Sequence, residues 1–235
     1  MAIEILPLTK ADIPAAVECI QKAFADDPYF HWVFNDPSGF NINRNAASLS
    51  AHFLYGLSCR EPIYVAKSTV PATSDKSTAA SVVGVCWWYN PHPLSHPVPW
   101  NVWAQDWLLS FRQLFNNIRF GGRGGLNVKR YWLWKERQQE THEKVWTDPR
   151  GYYFCNVLAV DSSMRGMGVG RKLVDVVTQR ADEDGLPCYL ESSKGFPNLV
   201  IYEKLGFELV SEIDCVDGGD ECKLYCMIRQ PIIKA

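Results

Sequence analysis

Apolar and polar positions along the first part of the chain follow two periods, which predict strands and helices in turn. A short apolar run from Ile3 to Leu6 is typical of a strand. Helical spacing follows, introduced by Thr9 and Asp12 and ended before Pro28. The same patterns predict a second helix over 43–57, strands over 62–66 and 82–89, and an exposed loop over 68–79.

The stretch from Pro91 to Arg150 has a different character, because it opens with four prolines and is rich in tryptophan. Aromatic residues recur at helical spacing around Trp103 and again around Trp134, and glycines at 121–125 separate the two groups. Two interpretations stay open for these side chains. They could pack the segment onto the main core, or some could line a substrate pocket, and the two roles are compatible.

From Tyr152 onward the pattern becomes regular. It predicts a strand over 152–160, a helix over 170–184 ended by Gly185, a strand over 188–191, a short helix over 198–205, and a hairpin of strands over 208–216 and 222–229. Strands and helices that alternate in this way predict a mixed α/β fold around one sheet. We expect a single domain over 1–235, with a helical, aromatic-rich insertion at about 91–150.

Composition and charge narrow the function only by exclusion. The chain has 235 residues, a formal net charge of −2 and 47% hydrophobic residues, as expected of a globular protein with a sizeable core. So small a net charge argues against nucleic acid or an anionic membrane as the partner. The N-terminus shows no secretory signal, and the apolar run at 82–88 is too short to span a bilayer, so the predicted location is cytoplasmic.

Eight cysteines raise the question of disulfides or a bound metal. No two are spaced as Cys-x-x-Cys, and no histidine lies near the last three at the spacing of a zinc site. Without a secretory signal, we expect reduced thiols and no metal. Four cysteines lie in apolar strand-like runs, where a free thiol acts as a small core residue: Cys86, Cys155, Cys188 and Cys226.

The most informative segment joins an apolar strand to an amphipathic helix through a glycine-rich loop. Gly166, Gly168 and Gly170 alternate along this loop, between Arg165 and Arg171. Glycine lets a backbone approach a ligand closely, and amides at a helix N-terminus bind anions. These features predict a cradle for a pyrophosphate, although glycines that merely permit a tight turn remain the alternative.

Two familiar pyrophosphate motifs do not fit this loop. The Gly-x-Gly-x-x-Gly fingerprint fails in both registers, and Gly170 is not followed by the Lys-Ser/Thr of a Walker loop. The Arg-x-x-Gly-x-Gly spacing, supplied by Arg165, Gly168 and Gly170, resembles instead the acyl-CoA loop of the GNAT N-acetyltransferases. The run from Tyr202 to Phe207 also resembles the family's Tyr-x-x-x-Gly-Phe, on a short helix after the next strand.

This resemblance is specific over about 152–207, and it is most similar to the puromycin N-acetyltransferase-like branch of small-molecule enzymes. It implies the GNAT fold, with one central, mostly antiparallel twisted sheet, and it implies acetyl-CoA as cosubstrate. Backbone groups of Leu158 and Val160 would pair with the pantetheine arm, and Asn198 would also contact it. The pyrophosphate would be held by the loop residues Arg165, Gly166, Met167, Gly168, Val169, Gly170 and Arg171.

The resemblance also implies catalytic roles. Tyr202 would protonate the departing thiolate, and a core residue is the alternative for a tyrosine at this position. A strand carboxylate that some family members carry corresponds here to Phe154, so the general base is unassigned. Glu191, which ends the following strand, is the first candidate. A purely structural hydrogen-bonding role for Glu191 is the alternative.

The predicted reaction is the transfer of an acetyl group to a primary amine of a small molecule, by direct attack in a ternary complex. The aromatic insertion favours a bulky or hydrophobic amine. Two alternatives remain: an acetyltransferase acting on lysine side chains or N-termini of proteins, and a non-catalytic acyl-CoA-binding sensor. The sequence leaves both a monomer and a homodimer open.

Overall fold

Seven strands form one mixed sheet in this computed structural model, which describes residues 2–69, 81–93, 97 and 99–233. The strands are β1 (Ala2–Pro7), β2 (Ile63–Thr69), β3 (Ser81–Tyr89), β4 (Tyr153–Val160), β5 (Cys188–Ser192), β6 (Glu208–Asp217) and β7 (Asp220–Arg229). The helices are α1 (Ile13–Ala23), α2 (Pro28–Val33), α3 (Ile42–Ser58), α4 (Trp100–Arg119), α5 (Val128–Val145), α6 (Val169–Asp184) and α7 (Asn198–Glu203). The strand order is β1-β2-β3-β4-β5-β7-β6, and β4–β5 is the parallel pair.

The two faces of the sheet are covered by different helices. On one face, which we call the α6 face, α6 shares a buried core with Trp88, Cys155 and Leu190. On the opposite face, which we call the α5 face, α1 and α3 pack on β2 and β3, while α2 and α5 pack on the β5–β7–β6 end. Because side chains alternate along a strand, neighbouring residues of β4 and β5 point to opposite faces.

The mixed α/β fold and the predicted elements are confirmed, with ends that differ by a few residues at most. One helix was not predicted: the Asp27-Pro28 pair ends α1 as expected, but it also begins α2. The Asp27 side chain accepts a hydrogen bond from the Phe30 amide at 3.1 Å, and proline fits the first position of a helix. Residues 70–79 of the predicted loop lie outside the described part of the chain.

Within the 91–150 insertion, α5 is held to the sheet by apolar and ionic contacts. Its aromatic residues Tyr131 and Trp134 pack into the core of the α5 face. Arg130, whose side chain is nearly buried, donates to the carboxylates of Asp217 and Asp220 at the β6–β7 turn. Of the two interpretations left open for the insertion aromatics, packing on the core therefore holds for Tyr131 and Trp134, whereas Trp132 is exposed.

Packing on the core does not hold for the aromatic residues of α4. Trp103, Trp107, Phe111 and Phe115 are all more than half exposed. The helix contacts α3 rather than the sheet, and it does so through polar side chains. Helical spacing identified the apolar stripe of α4 correctly, but a stripe alone does not tell which side of a helix meets the protein.

Candidate active site

β4 and β5 run side by side for only three residues and then separate. Their parallel pairing begins at Tyr153 and ends where Cys155 meets Leu190. β4 continues to Val160 and stays paired with β3 on its other side. Its edge toward β5 is therefore unpaired over 156–160, and backbone groups there are available to a bound chain. We call this gap the β4–β5 opening.

A β-bulge lies at the start of the opening. The pairing of β3 with β4 shifts register between Trp87 and Trp88, which leaves Asn156 of β4 without a partner on β3. Bulges bend a strand and redirect its side chains and peptide groups, and they are frequent next to active sites. Beyond the bulge, the side chains of Leu158 and Val160 pack against the core of the α6 face.

The loop from β4 to α6 carries glycine at the two positions where the backbone has a positive φ angle. Gly166 and Gly168 have φ angles of +79° and +75°, which residues with a Cβ rarely adopt. A Cβ added at either position would meet no atom within 4 Å, so conformation selects glycine there and the space above it is open. Gly170 differs, because its φ is not positive and a Cβ would lie 3.7 Å from Val160 Cγ2.

α6 begins directly at this loop. Gly168 is its N-cap residue, and the amide of Lys172 donates to the Gly168 carbonyl at 3.1 Å. The N–H groups of 169–171 therefore lie at the open N-terminus of a long helix, where the helix dipole adds partial positive charge. This arrangement can bind an anion.

Two arginines add charge to the same place. Arg165 is exposed on the loop, next to the exposed side chain of Met167. Arg171, also exposed, donates to the Lys204 carbonyl at 3.0 Å and so links the loop to the end of α7. The structure thus brings together all seven residues predicted for the pyrophosphate.

Tyr202 lies on the α6 face beside the opening. Its ring packs against the core and meets the ring of Phe207 edge-on, with centroids 6.2 Å apart. Its hydroxyl makes no hydrogen bond to any residue that the structure describes. Burial raises the pKa of Tyr202 above its usual value, and the nearby Cys155, Cys86 and Asp27 raise it further. The hydroxyl therefore keeps its proton at neutral pH and can donate it.

Asn198 is the first residue of α7. Its side-chain amide lies 3.5 Å from Ser192 Oγ, at the end of β5. Ser192 and Leu190 are two residues apart on β5 and point to the same face of the sheet. Asn198 is therefore on the α6 face, on the same side as Tyr202.

Glu191 points to the α5 face and is the centre of a hydrogen-bond network. Its Oε1 accepts from the Tyr189 hydroxyl at 2.9 Å and lies 3.0 Å from His142 Nε2. Its Oε2 accepts from Gln138 Nε2 at 2.8 Å, and the side chain is only 6% exposed. Because Gln138 and His142 are one turn apart on α5, Glu191 fastens the insertion to the sheet. Glu191 therefore has a structural hydrogen-bonding role, which was the alternative to that of general base.

Aromatic rings surround this network. The His142 ring stacks on Trp146 with centroids 4.1 Å apart, and Phe154 meets His142 edge-on at 5.6 Å. Phe154 also contacts Tyr189 and Tyr89. We call these five residues the aromatic wall; they lie on the α5 face, at the level where β4 and β5 separate. Trp146 Nε1 is buried and has no partner among the described residues.

Comparison with known proteins agrees with this geometry. The acetyltransferase (GNAT) domain family matches residues 128–209, which include α5, the β4–β5 opening, the glycine loop and Tyr202. The chain carries a GNAT acetyltransferase domain. GNAT proteins are N-acetyltransferases, which makes this protein an acyltransferase. The match begins at Val128, inside the segment predicted to be an insertion, so α5 is part of the matched region.

A curated relative and two solved structures are also similar to this chain. An uncharacterized N-acetyltransferase from Schizosaccharomyces pombe is 25% identical over 96% of this chain and 91% of its own length. A histone acetyltransferase HPA2 and related acetyltransferase from Corynebacterium glutamicum has a TM-score of 0.57 at 22% identity, covering 100% of this chain and 99% of that one. Arylalkylamine N-acetyltransferase 2 from Aedes aegypti has a TM-score of 0.58 at 17% identity, with 98% and 99% covered. At these identities the structures show the GNAT fold and leave the acceptor open.

Three polar residues near the β4–β5 opening were not predicted from the sequence. Gln138 and His142 come from a segment that the resemblance did not reach, and their one-turn spacing was the available signal. Asp27 is the third. It is buried, and its Oδ2 accepts from Ser193 Oγ at 2.5 Å just beyond β5.

Neither a metal-binding cluster nor a membrane-crossing helix occurs among the described residues. No group of three or more histidine, cysteine, aspartate or glutamate side chains there is placed to hold a metal ion. No helix of those residues is both long and apolar enough to cross a membrane. All eight cysteines are free thiols, and seven of them are buried.

Proposed function

We propose that this protein transfers an acetyl group from acetyl-CoA to the primary amine of a small, aromatic or otherwise hydrophobic molecule, in a ternary complex. One observation carries the proposal. The β4–β5 opening has the Tyr202 hydroxyl on one face of the sheet and the Glu191–His142 pair on the other. A thioester placed in the opening would meet a proton donor on its sulfur side and a proton acceptor on its amine side.

The α6 face supplies the site for acetyl-CoA. The open amides at 169–171, with Arg165 and Arg171, fit the pyrophosphate, since an anion there gains from both the N–H groups and the helix dipole. The unpaired edge of β4 at Leu158 and Val160 fits the amides of the pantetheine arm, and Asn198 adds a polar side chain beside it. The same edge can polarise the thioester carbonyl.

The proton transfers balance on this chain's own residues. An alkylamine with a pKa near 10.4 costs about 4–5 kcal/mol to present in its neutral form at pH 7. The ammonium first loses one proton to solvent. With Glu191 accepting a hydrogen bond from the His142 Nε2–H group, the Nδ1 lone pair can take the second proton as the neutral amine attacks. The amine nitrogen bonds to the carbonyl carbon, the carbon–sulfur bond breaks, and Tyr202 gives its proton to the leaving thiolate. The proton on His142 then returns to the tyrosinate through solvent.

The aromatic wall supports a small acceptor. Its rings lie on the side from which the amine attacks, and α5 covers that side of the opening. Aromatic faces bind apolar groups and attract a cationic amine, and the buried Glu191 carboxylate adds an opposite charge. An extended peptide would need an open groove at this place. The eight free thiols favour a reducing compartment, and we place the reaction in the cytoplasm.

The experiment compares acceptors and pairs two tryptophan variants. We would measure kcat/KM with arylalkylamines, aliphatic amines and lysine peptides for the wild type, Trp146→Ala and Trp132→Ala. Trp146 belongs to the aromatic wall, whereas Trp132 is 63% exposed on the same insertion and serves as the matched control. We expect arylalkylamines to be preferred, and Trp146→Ala to lower their kcat/KM about tenfold or more, while Trp132→Ala changes it little.

Each alternative has its own outcome. A lysine peptide or a protein N-terminus that reacts faster than every small amine would replace the small-molecule proposal with a protein acceptor. Acetyl-CoA that binds but is never consumed with any amine would favour the sensor. Equal effects of the two tryptophan variants would remove the aromatic wall from the acceptor site.

A further inference from the structure

α4 is attached to the protein by its polar side. Arg44 Nη2 of α3 donates to Asn117 Oδ1 at 2.7 Å, and Ser48 Oγ donates to Gln113 Oε1 at 3.1 Å. Asn116 is buried at this contact. A helix on the surface of a globular protein normally does the reverse, burying its apolar stripe and exposing its polar one.

The opposite side of α4 is apolar and exposed. Eight large apolar residues there are between 40% and 80% exposed: Trp100, Trp103, Trp107, Leu108, Phe111, Leu114, Phe115 and Ile118. At 3.6 residues per turn, all eight fall within an arc of about 140°. We call them the α4 stripe. Trp103 contacts Trp107 and Trp107 contacts Phe111, with centroids near 6 Å apart, so the rings form a continuous row.

The stripe has the size of a protein interface. At about 200 Å² for a fully exposed aromatic side chain, its five rings alone leave roughly 600 Å² uncovered, and three aliphatic residues extend that area. The largest apolar patch on a typical monomer is about 300–600 Å². A stable complex buries about 800 Å² on each partner. The stripe therefore exceeds what a monomer usually leaves in water and approaches what a dimer needs.

The spacing of the stripe is the same when read from either end. Six of its members occupy positions 100, 103, 107, 111, 115 and 118, which are symmetric about position 109. In an antiparallel pair of α4 helices centred there, Trp100 lies opposite Ile118, Trp103 opposite Phe115, and Trp107 opposite Phe111. A two-fold interface requires such self-complementarity, because each surface meets its own copy.

A membrane surface fits the helix less well. Helices that lie in a bilayer interface carry lysine and arginine on the polar side, which faces water. Here the polar side is occupied by α3, and the whole chain has a net charge of −2. We propose that the α4 stripe is a homodimer interface, in which two copies of this chain pair their α4 helices antiparallel about a two-fold axis at the level of residue 109.

The proposal is tested on the full chain by its mass in solution. We would measure that mass by sedimentation at micromolar concentration for the wild type, for Trp107→Ser/Phe111→Ser, and for Trp132→Ser as an exposed control on α5. The wild type and the control should have twice the 26.7 kDa chain mass. The double variant should dissociate at least 100-fold more readily while its circular dichroism stays unchanged, since aromatic side chains dominate interface energetics.

Cross-linking tests the direction of the helices. Trp103→Cys/Phe115→Cys should form disulfide-linked dimers on mild oxidation, while Trp103→Cys alone should not, because only an antiparallel pair sets position 103 against 115. Cross-linking of the single variant would mean a parallel pair and would overturn the geometry. A monomeric wild type, a double variant that dimerises as tightly as the wild type, or stripe-dependent binding to neutral phosphatidylcholine vesicles would overturn the dimer.

Discussion

The Tyr202 hydroxyl belongs to a ring that packs against the core of the α6 face, and no described residue forms a hydrogen bond with it. A hydroxyl beside a core usually finds a hydrogen bond, and this one belongs to a half-buried side chain. A ligand atom in the β4–β5 opening would supply that partner. Desolvation also raises the pKa of Tyr202, so the hydroxyl keeps its proton at neutral pH.

We expect Tyr202→Phe to lower kcat on the order of 10²-fold and to leave the KM for acetyl-CoA nearly unchanged, because only the proton donor is removed. In the wild type, kcat should not fall near pH 10, where a tyrosine ordinarily loses its proton, since the pKa of Tyr202 is raised. Steady-state kinetics between pH 6 and 10.5 would check both points. A variant as fast as the wild type would leave Tyr202 a core residue only.

The Glu191–His142 pair gives a second prediction at this scale. We expect His142→Gln to lower kcat with an alkylamine more strongly than with an aniline-type amine, because the latter is already neutral at pH 7 and needs less help in losing its proton. Thermal unfolding of the same variant separates loss of the base from loss of the α5 contact. An equal drop in kcat for both amines would mean that the pair only positions α5.

At the scale of elements, the N-terminus of α6 has open backbone N–H groups that can bind an anion. Gly168 and Gly185 lie at opposite ends of this helix, both with positive φ and both with open space where a Cβ would stand. They therefore make a matched pair. A residue with a Cβ costs about 1–2 kcal/mol at either position, but only Gly168 lies at the predicted cradle.

We expect Gly168→Glu to weaken CoA binding at least 100-fold, because a carboxylate would occupy the site of the pyrophosphate. Gly185→Glu should lose similar stability and bind CoA normally. Calorimetric titration with CoA, together with thermal unfolding of both variants, would check this. Equal CoA affinities in the two variants would contradict the cradle assignment.

Much of this element-level description could be predicted from sequence. The glycine loop and the run around Tyr202 lie next to strong strand and helix patterns. Their order along the chain was therefore enough to predict which elements carry them. The bulge at Asn156 could not be predicted, because a register shift depends on how β3 pairs with β4. The contacts of Glu191 with Gln138 and His142 join residues about fifty positions apart, and no periodicity in a single sequence encodes them.

For the whole molecule, the arrangement of the insertion was the hardest feature to foresee. Periodicity placed α4 and α5 correctly as helices with aromatic stripes. It could not tell that α5 buries its stripe while α4 exposes it, since that choice depends on polar partners such as Arg44 and Ser48 on α3. The two helices thereby divide the insertion into a part that covers the α5 face of the sheet and a part that faces outward.

The central claim is that the β4–β5 opening joins acetyl-CoA and a small amine. The most direct test is to incubate the full chain with acetyl-CoA and a panel of arylalkylamines, and to quantify CoA and acetylated amine by mass spectrometry. We predict that CoA and acetylated amine form in equal amounts, only when both substrates and active protein are present, and far more slowly with Tyr202→Phe. No acetylated product with any amine, or an undiminished rate in Tyr202→Phe, would contradict the account.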